Sequence, residues 1–181
     1  MSILLKSPED TMELGAMLAR AMCGTSLRPL YLFADLGGGK TTFTRGFVSA
    51  LPGGGQAEVA SPSFTLCNVY PTSPEVLHAD LYRLSENAAL PEEMEEMLDE
   101  GDPFLILEWP QYLAADRYAP ERLDIYLAPV QGNEAKHLDN TDESCKNFRL
   151  ATMKAHGDAA EVLLQKLKPR LEERFAPVDR A

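Results

Sequence analysis

Long hydrophobic runs are missing from this chain: no apolar stretch approaches the roughly 20 residues that a membrane-crossing helix needs. Cysteine is scarce as well. Cys23, Cys67 and Cys145 are odd in number, and no C-x-x-C or Cys/His spacing joins them to His78, His137 or His156. That argues against a structural zinc and fits free thiols in a reducing compartment. Positive charge is short: 17 Lys and Arg face 28 Asp and Glu, for a formal charge of -11. Such a background disfavours a protein that itself grips DNA, RNA or anionic lipid, since all three are polyanions. Internal repeats are absent, and the short apolar run of Met1–Lys6 does not read as a signal peptide. What remains is ordinary globular material, 181 residues with 45% hydrophobic and 25% charged, enough for one domain in the cytoplasm.

The periodicity predicts alternating helices and strands. Ser7-Pro8-Glu9-Asp10 carries a capping hydroxyl, a first-turn proline and first-turn acids, and Leu14, Met17, Leu18, Ala21 and Met22 follow at helical spacing. Leu30–Phe33 reads as a buried strand, followed after Gly39 by a helix that stops at Pro52-Gly-Gly-Gly55. Further strands are expected at Phe64–Tyr70, Val76–Tyr82, Phe104–Leu107, Leu123–Leu127 and Phe148–Met153. The acidic stretch Pro91–Asp102 reads as a short helix and Pro129–Lys146 as a polar loop. A last helix is marked by Ala160, Leu163, Leu164 and Leu167, and its end is challenged by Pro169. The expected organisation is an α/β domain over residues 1–168 and a loosely held tail over 169–181.

The densest chemistry lies in Ala34-Asp-Leu-Gly-Gly-Gly-Lys-Thr-Thr42, between a predicted strand and a predicted helix. Glycines let backbone N–H groups close around phosphate oxygens, the helix N-terminus adds partial positive charge, and a lysine adds a full one. Gly37, Gly38 and Gly39 supply the backbone here, Lys40 the charge, and Thr41 a hydroxyl suited to magnesium. Thr42 is placed to donate toward the next phosphate inward. The usual pattern G-x-x-x-x-G-K-[ST] has glycine where this chain has Ala34, whose Cβ resists positive φ. The bland alternative is a glycine-rich turn with an incidental lysine.

A phosphate loop of this kind is usually served by an acid on a neighbouring strand. Glu108 closes Phe104-Leu-Ile-Leu107, and the carboxyl ends of strands face the ligand crevice of an α/β sheet. Its alternative is a surface acid at a strand end. Trp109, the one tryptophan, packs beside that acid or simply in the core. Period-two alternation puts His78, Asp80 and Tyr82 on one strand face, with Arg83 on the other. Asp80 is then a magnesium-shell acid, a water-orienting base, or part of a solvated edge strand. Ser61-Pro-Ser-Phe-Thr65 is a polar turn by local reading, with a phosphate-sensing switch as the sharper one. Thr11 shares the face of Leu14 and Leu18, so it is a core-edge threonine by default and a nucleotide contact otherwise.

Four motifs in order resemble the TsaE (YjeE) family of bacterial P-loop ATPases: Asp35-Leu-Gly-Gly-Gly-Lys-Thr-Thr42, Ser61-Pro-Ser-Phe-Thr-Leu66, His78-Ala-Asp-Leu-Tyr-Arg83 and Leu107-Glu-Trp-Pro110. The resemblance covers about Leu4 to Leu167. Ala34 departs from the family's glycine, and Ser63 stands where threonine is commoner. The resemblance implies a P-loop NTPase-like three-layer α/β domain with a central mixed sheet flanked by helices. It implies ATP and Mg²⁺ as ligands, the metal held by Thr41 and Glu108, with Lys40, Asp80 and Glu108 in catalysis. Thr11 is then near the nucleotide with Gly37, Gly38, Gly39, Lys40, Thr41 and Thr42, and Trp109 matters to turnover. It further implies weak hydrolysis alone and a TsaB–TsaD complex as partner, reset between rounds of tRNA threonylcarbamoyladenosine synthesis. The tRNA is then met only through that complex, and neither DNA nor a membrane is a partner.

Two other classes use the same loop. A small-molecule or nucleotide kinase usually brings an arginine-rich lid, whereas arginines here are scattered, with Arg117 and Arg122 the nearest pair. A nucleotide-dependent assembly module would bind without useful turnover. A GTPase is disfavoured, since no N-K-x-D segment is present to read guanine.

Overall fold

The structure, a computed structural model, describes residues 1–130 and 147–178. The predicted loop Pro129–Lys146 lies outside the described residues from 131 onward. The chain lays down β1 (Ser2–Leu5), α1 (Pro8–Met22), β2 (Pro29–Phe33), α2 (Lys40–Ser49), β3 (Cys67–Tyr70), β4 (Val76–Asp80), α3 (Glu92–Glu100), β5 (Phe104–Glu108), β6 (Arg122–Pro129), β7 (Arg149–His156), α4 (Asp158–Arg174) and β8 (Ala176–Pro177). All strands join one sheet in the order β3-β4-β5-β2-β6-β7-β1-β8. The centre, β4-β5-β2-β6, is parallel, and both flanks are antiparallel.

One face of the sheet packs against α1, α2 and α4. Leu14, Leu18, Phe43, Phe47, Leu163 and Leu167 meet Leu30, Leu32, Ile106 and Ile125 there. Phe47 meets the edge of Phe104 at 5.2 Å between ring centres, a contact that adds about 0.5–1.5 kcal/mol beyond its buried area. Helices α1 and α2 cross so closely that a methyl on Gly15 would strike Phe43 and one on Gly46 would strike Met12. That close crossing fixes α2, and with it the loop that precedes α2. On the other face Met94 of α3 and Leu113 cover Leu77, Ala79, Leu105 and Leu107. The mixed sheet flanked by helices on both faces is the α/β architecture expected from the sequence.

Three local expectations change, and one strand goes beyond them. The apolar start of the chain is a strand, β1, paired with β7. The strand expected from Phe64 begins only at Cys67, because Leu66 closes a turn onto the Pro62 carbonyl (2.7 Å) with φ 66°. The strand expected to reach Tyr82 ends at Asp80, whose carboxylate accepts the Tyr82 N–H and turns the backbone. Tyr82 therefore does not share the strand face of His78 and Asp80.

Pro169 does not end the last helix: α4 runs through it to Arg174. The missing N–H removes only one helical bond, and Leu167 and Leu171 anchor consecutive turns in the core. Phe175 is buried too, and β8 adds to the sheet beside β1, so residues 169–177 are held as part of the domain.

Candidate phosphate-binding site

The parallel strands bring three chain segments to one edge. Leu32, one residue before the end of β2, is in register with Glu108 of β5, and Asp80 of β4 is in register with Glu108. The loop 34–39 leaves β2 beside both acids and enters α2. Its glycines take the conformations that phosphate loops require, with φ of 72° at Gly37 and 103° at Gly39. Gly39 is the residue before α2, and among the described residues no side chain caps the helix, which leaves its first-turn N–H groups available to an anion.

Ala34 is accommodated by Gly38. A Cβ at Gly38 would fall 2.7 Å from the Ala34 methyl and 2.9 Å from the Asp35 carbonyl oxygen, so only glycine fits above this alanine. Ala34 itself lies outside the left-handed region, which removes the objection that a Cβ would strain it.

A cavity of about 200 Å³ opens above the loop, lined by Gly37–Thr42 together with Ser63, Asp80, Glu108 and Trp109. Lys40 is buried there and donates to the carbonyl oxygens of Ala34 (2.9 Å) and Asp35 (3.2 Å). Its Nζ stands 3.9 Å from Glu108 Oε2 and 4.3 Å from the centre of the Trp109 ring. Burial pulls the Lys40 pKa below the ordinary lysine value, and Glu108, Asp80 and Asp35 pull in the opposite direction.

Both acids are buried and tied down. Asp80 accepts from Ser63 Oγ (2.5 Å) and from the Tyr82 N–H (2.9 Å), and Ser63 shares a further bond with Ser61 (2.7 Å). Glu108 Oε1 pairs with Nε2 of His78 at 2.8 Å. Two carboxylates therefore face one ammonium, an excess of negative charge that suits a divalent cation accompanying phosphate. No group of three or more His, Cys, Asp and Glu placed to hold a metal occurs among the described residues. The oxygen donors present, Thr41, Asp80 and Glu108, are of the kind magnesium takes and few enough to leave room for waters and phosphate oxygens in its shell.

The predicted residues converge, all but Thr11 lining the cavity. Gly37, Gly38, Gly39, Lys40, Thr41, Thr42, Asp80 and Glu108 line the cavity, as does Trp109. Thr11 packs against the loop at Gly39: its hydroxyl bonds the Ser7 carbonyl oxygen, and its Cγ2 would be 3.7 Å from a Cβ at Gly39. Arg83 makes a cation–π contact with Phe64 at 4.5 Å. Arg117 pairs with Glu95 and Arg122 with Asp124, away from the cavity. The link of Ser63 to Asp80 and that of His78 to Glu108 are not legible in the sequence, since period-two spacing assigns faces and says nothing of partners from other segments.

The family model for "Threonylcarbamoyl adenosine biosynthesis protein TsaE" matches residues 5–137. The Streptomyces coelicolor tRNA threonylcarbamoyladenosine biosynthesis protein TsaE is 35% identical over 143 residues, covering 77% of this chain and 93% of the relative. The Bacillus subtilis protein of the same name is 34% identical over 134 residues, 71% of this chain and 77% of the relative. The crystal structure of Bacillus subtilis YdiB superposes with a TM-score of 0.67 at 26% identity, covering 94% of this chain and 95% of that one. The chain belongs to the TsaE family of threonylcarbamoyl adenosine biosynthesis proteins.

Proposed function

We propose that this chain is the ATP-binding and ATP-hydrolysing component of the cytoplasmic machinery that forms N6-threonylcarbamoyladenosine in tRNA, acting with a TsaB–TsaD-like complex and resetting it between turnovers. The observation that carries the reading is the convergence of Lys40, Thr41, Asp80 and Glu108 on one cavity over a glycine loop and a free helix start. In this reading Lys40 exchanges its carbonyl partners for phosphate oxygens, and the amides of 37–42 hold the rest of the triphosphate. Thr41 and Glu108 would hold magnesium, which neutralises phosphate charge and stabilises the leaving oxygen when bound. Asp80, fixed through both oxygens, is suited to orient an attacking water through its remaining lone pairs. Lys40 is the one cation lining the cavity, so the positive lid of a kinase has no counterpart among the described residues.

Phosphate release from Mg·ATP, followed with and without the TsaB–TsaD pair, tests this. Release that rises with partners and is lost in Lys40→Ala and Glu108→Gln is the expected result. Phosphate appearing on an added small molecule would establish a kinase, and binding without turnover even with partners would establish an assembly module.

A further inference from the structure

His78 is wholly buried on β4, on the sheet face it shares with Val76, Ile106 and Phe104. A position among such neighbours is ordinarily filled by an aliphatic side chain, because a buried imidazole loses its hydration. Its ring lies near Tyr70, 6.2 Å between centres, which is packing and not polar compensation. Its Nδ1 has no hydrogen-bond partner among the described residues. Its Nε2 reaches Glu108 Oε1 at 2.8 Å, and that is the polar contact the side chain makes among the described residues. Core packing alone does not account for a histidine here, whereas the carboxylate above it does.

From the other side, Glu108 is also buried, and a carboxylate left with an unsatisfied oxygen in such a place is costly. With Glu108 ionised, Nε2 is the donor. The bond occupies Oε1 and leaves Oε2 as the oxygen nearest Lys40, at 3.9 Å, on the cavity side. Asp80 receives the equivalent support from Ser63 and Tyr82, so each cavity acid has its own holder.

We propose that His78 is the positioning residue for Glu108, fixing one carboxylate oxygen so that the other is presented to the magnesium that accompanies the nucleotide. This rests on the ATP reading given above. Partners that orient a metal-facing ligand typically change metal affinity by about 10–100-fold when removed.

Two substitutions of similar polarity and different reach provide the test. The amide nitrogen of His78→Gln extends to about where Nε2 lies, whereas that of His78→Asn stops near the depth of Nδ1. The readout is equilibrium binding: Mg²⁺ is titrated into the full chain holding a non-hydrolysable ATP analogue, and Trp109 emission is followed. The expected result is a Mg²⁺ midpoint about 10-fold higher in His78→Asn, recovery to within about two-fold in His78→Gln, and like nucleotide affinity without Mg²⁺. Coincident midpoints in folded wild type and His78→Asn would overturn the proposal, as would a His78→Gln as impaired as His78→Asn. A wild type whose nucleotide binding ignores Mg²⁺ would overturn the ATP reading and this proposal with it.

A second measurement needs no variant. The ¹⁵N resonance of His78 Nε2 is expected to shift when Mg²⁺ is added to the nucleotide complex. An unmoved resonance, in a chain whose Trp109 does respond to Mg²⁺, would overturn the positioning role alone.

Discussion

The Lys40 ammonium stands over the face of Trp109, 4.3 Å from the ring centre, while it donates to the two carbonyls that open the glycine loop. Each of these partners is weaker than a phosphate oxygen, so a nucleotide is expected to draw Lys40 away from the Ala34 and Asp35 carbonyls. Trp109 is the single tryptophan and becomes a reporter of that exchange. Addition of Mg·ATP is expected to change its emission, and Lys40→Ala to weaken binding by about 10–100-fold, the loss of one or more charge-assisted bonds. The pH dependence has a definite sign. Only the protonated amine attracts phosphate, and burial sets the Lys40 pKa below the ordinary 10.5. Affinity should therefore fall toward alkaline pH, and earlier than the titration of an exposed lysine would dictate. A titration series read through Trp109 checks both statements.

The contact between Gly38 and Ala34 makes a paired prediction about the loop. Ala34→Gly removes a methyl that the loop does not need and leaves nucleotide affinity equal or better. Gly38→Ala forces a methyl to within 2.7 Å of Ala34 and 2.9 Å of the Asp35 carbonyl oxygen, which the short loop can relieve only by opening. Its affinity should fall at least 10-fold, and the double substitution Ala34→Gly/Gly38→Ala should recover part of the loss, because one of the two clashes is gone. Binding isotherms for the three variants decide it, and an unimpaired Gly38→Ala would show the loop to be looser than its geometry states.

That loop shows how far the sequence could be followed. Glycines, lysine and threonine act locally, so their spacing along the chain already describes the cradle, and Glu108 follows from its place at the end of an apolar run. The supports of the acids were hidden because they cross the sheet: His78 and Glu108 are 30 residues apart, and Ser63 and Asp80 are 17 apart. Tyr82 departs from its expected strand face for a related reason. Alternation assumes that a strand continues, and the Asp80 carboxylate stops it by capturing the Tyr82 N–H. The error at Pro169 runs the other way, since a local breaking signal yields to the burial of Leu167 and Leu171.

Cys67 carries a prediction about reactivity. It is partly buried at the start of β3, and burial pushes its thiol pKa up to about 11, whereas Cys23 is exposed. The thiolate is the nucleophile, so at pH 8 only about one part in a thousand of Cys67 would be reactive. Alkylation at pH 8, mapped by mass spectrometry of peptides, is expected to label Cys23 well before Cys67. Raising the pH toward 10 should speed Cys67 about 100-fold, a tenfold gain in thiolate per pH unit below its pKa. Rapid labelling of Cys67 at pH 8 would mean that the turn at Ser63–Leu66 opens in solution.

The acidic helix α3 separates partner binding from stability in a single substitution. Met94 pins it to the sheet, while Glu92, Glu93, Glu96, Asp99 and Glu100 are exposed and Glu95 pairs with Arg117. Glu92, Glu96 and Glu100 follow one another at i,i+4, where like charges repel. A helix that keeps such a row loses stability for it, which favours a role for the row outside the fold. If α3 faces a basic surface of the TsaB–TsaD-like complex, Glu96→Lys should cut partner affinity about three- to ten-fold at low salt and flatten its salt dependence. The same change converts two repulsive i,i+4 pairs into attractive ones, each pair worth about 0.2–0.5 kcal/mol, so the isolated protein should melt no lower than wild type. Affinity measured at two salt concentrations beside a thermal melt tests both halves. Unchanged affinity and salt slope in a protein of undiminished stability would mean that α3 faces solvent, and that its acids serve solubility alone.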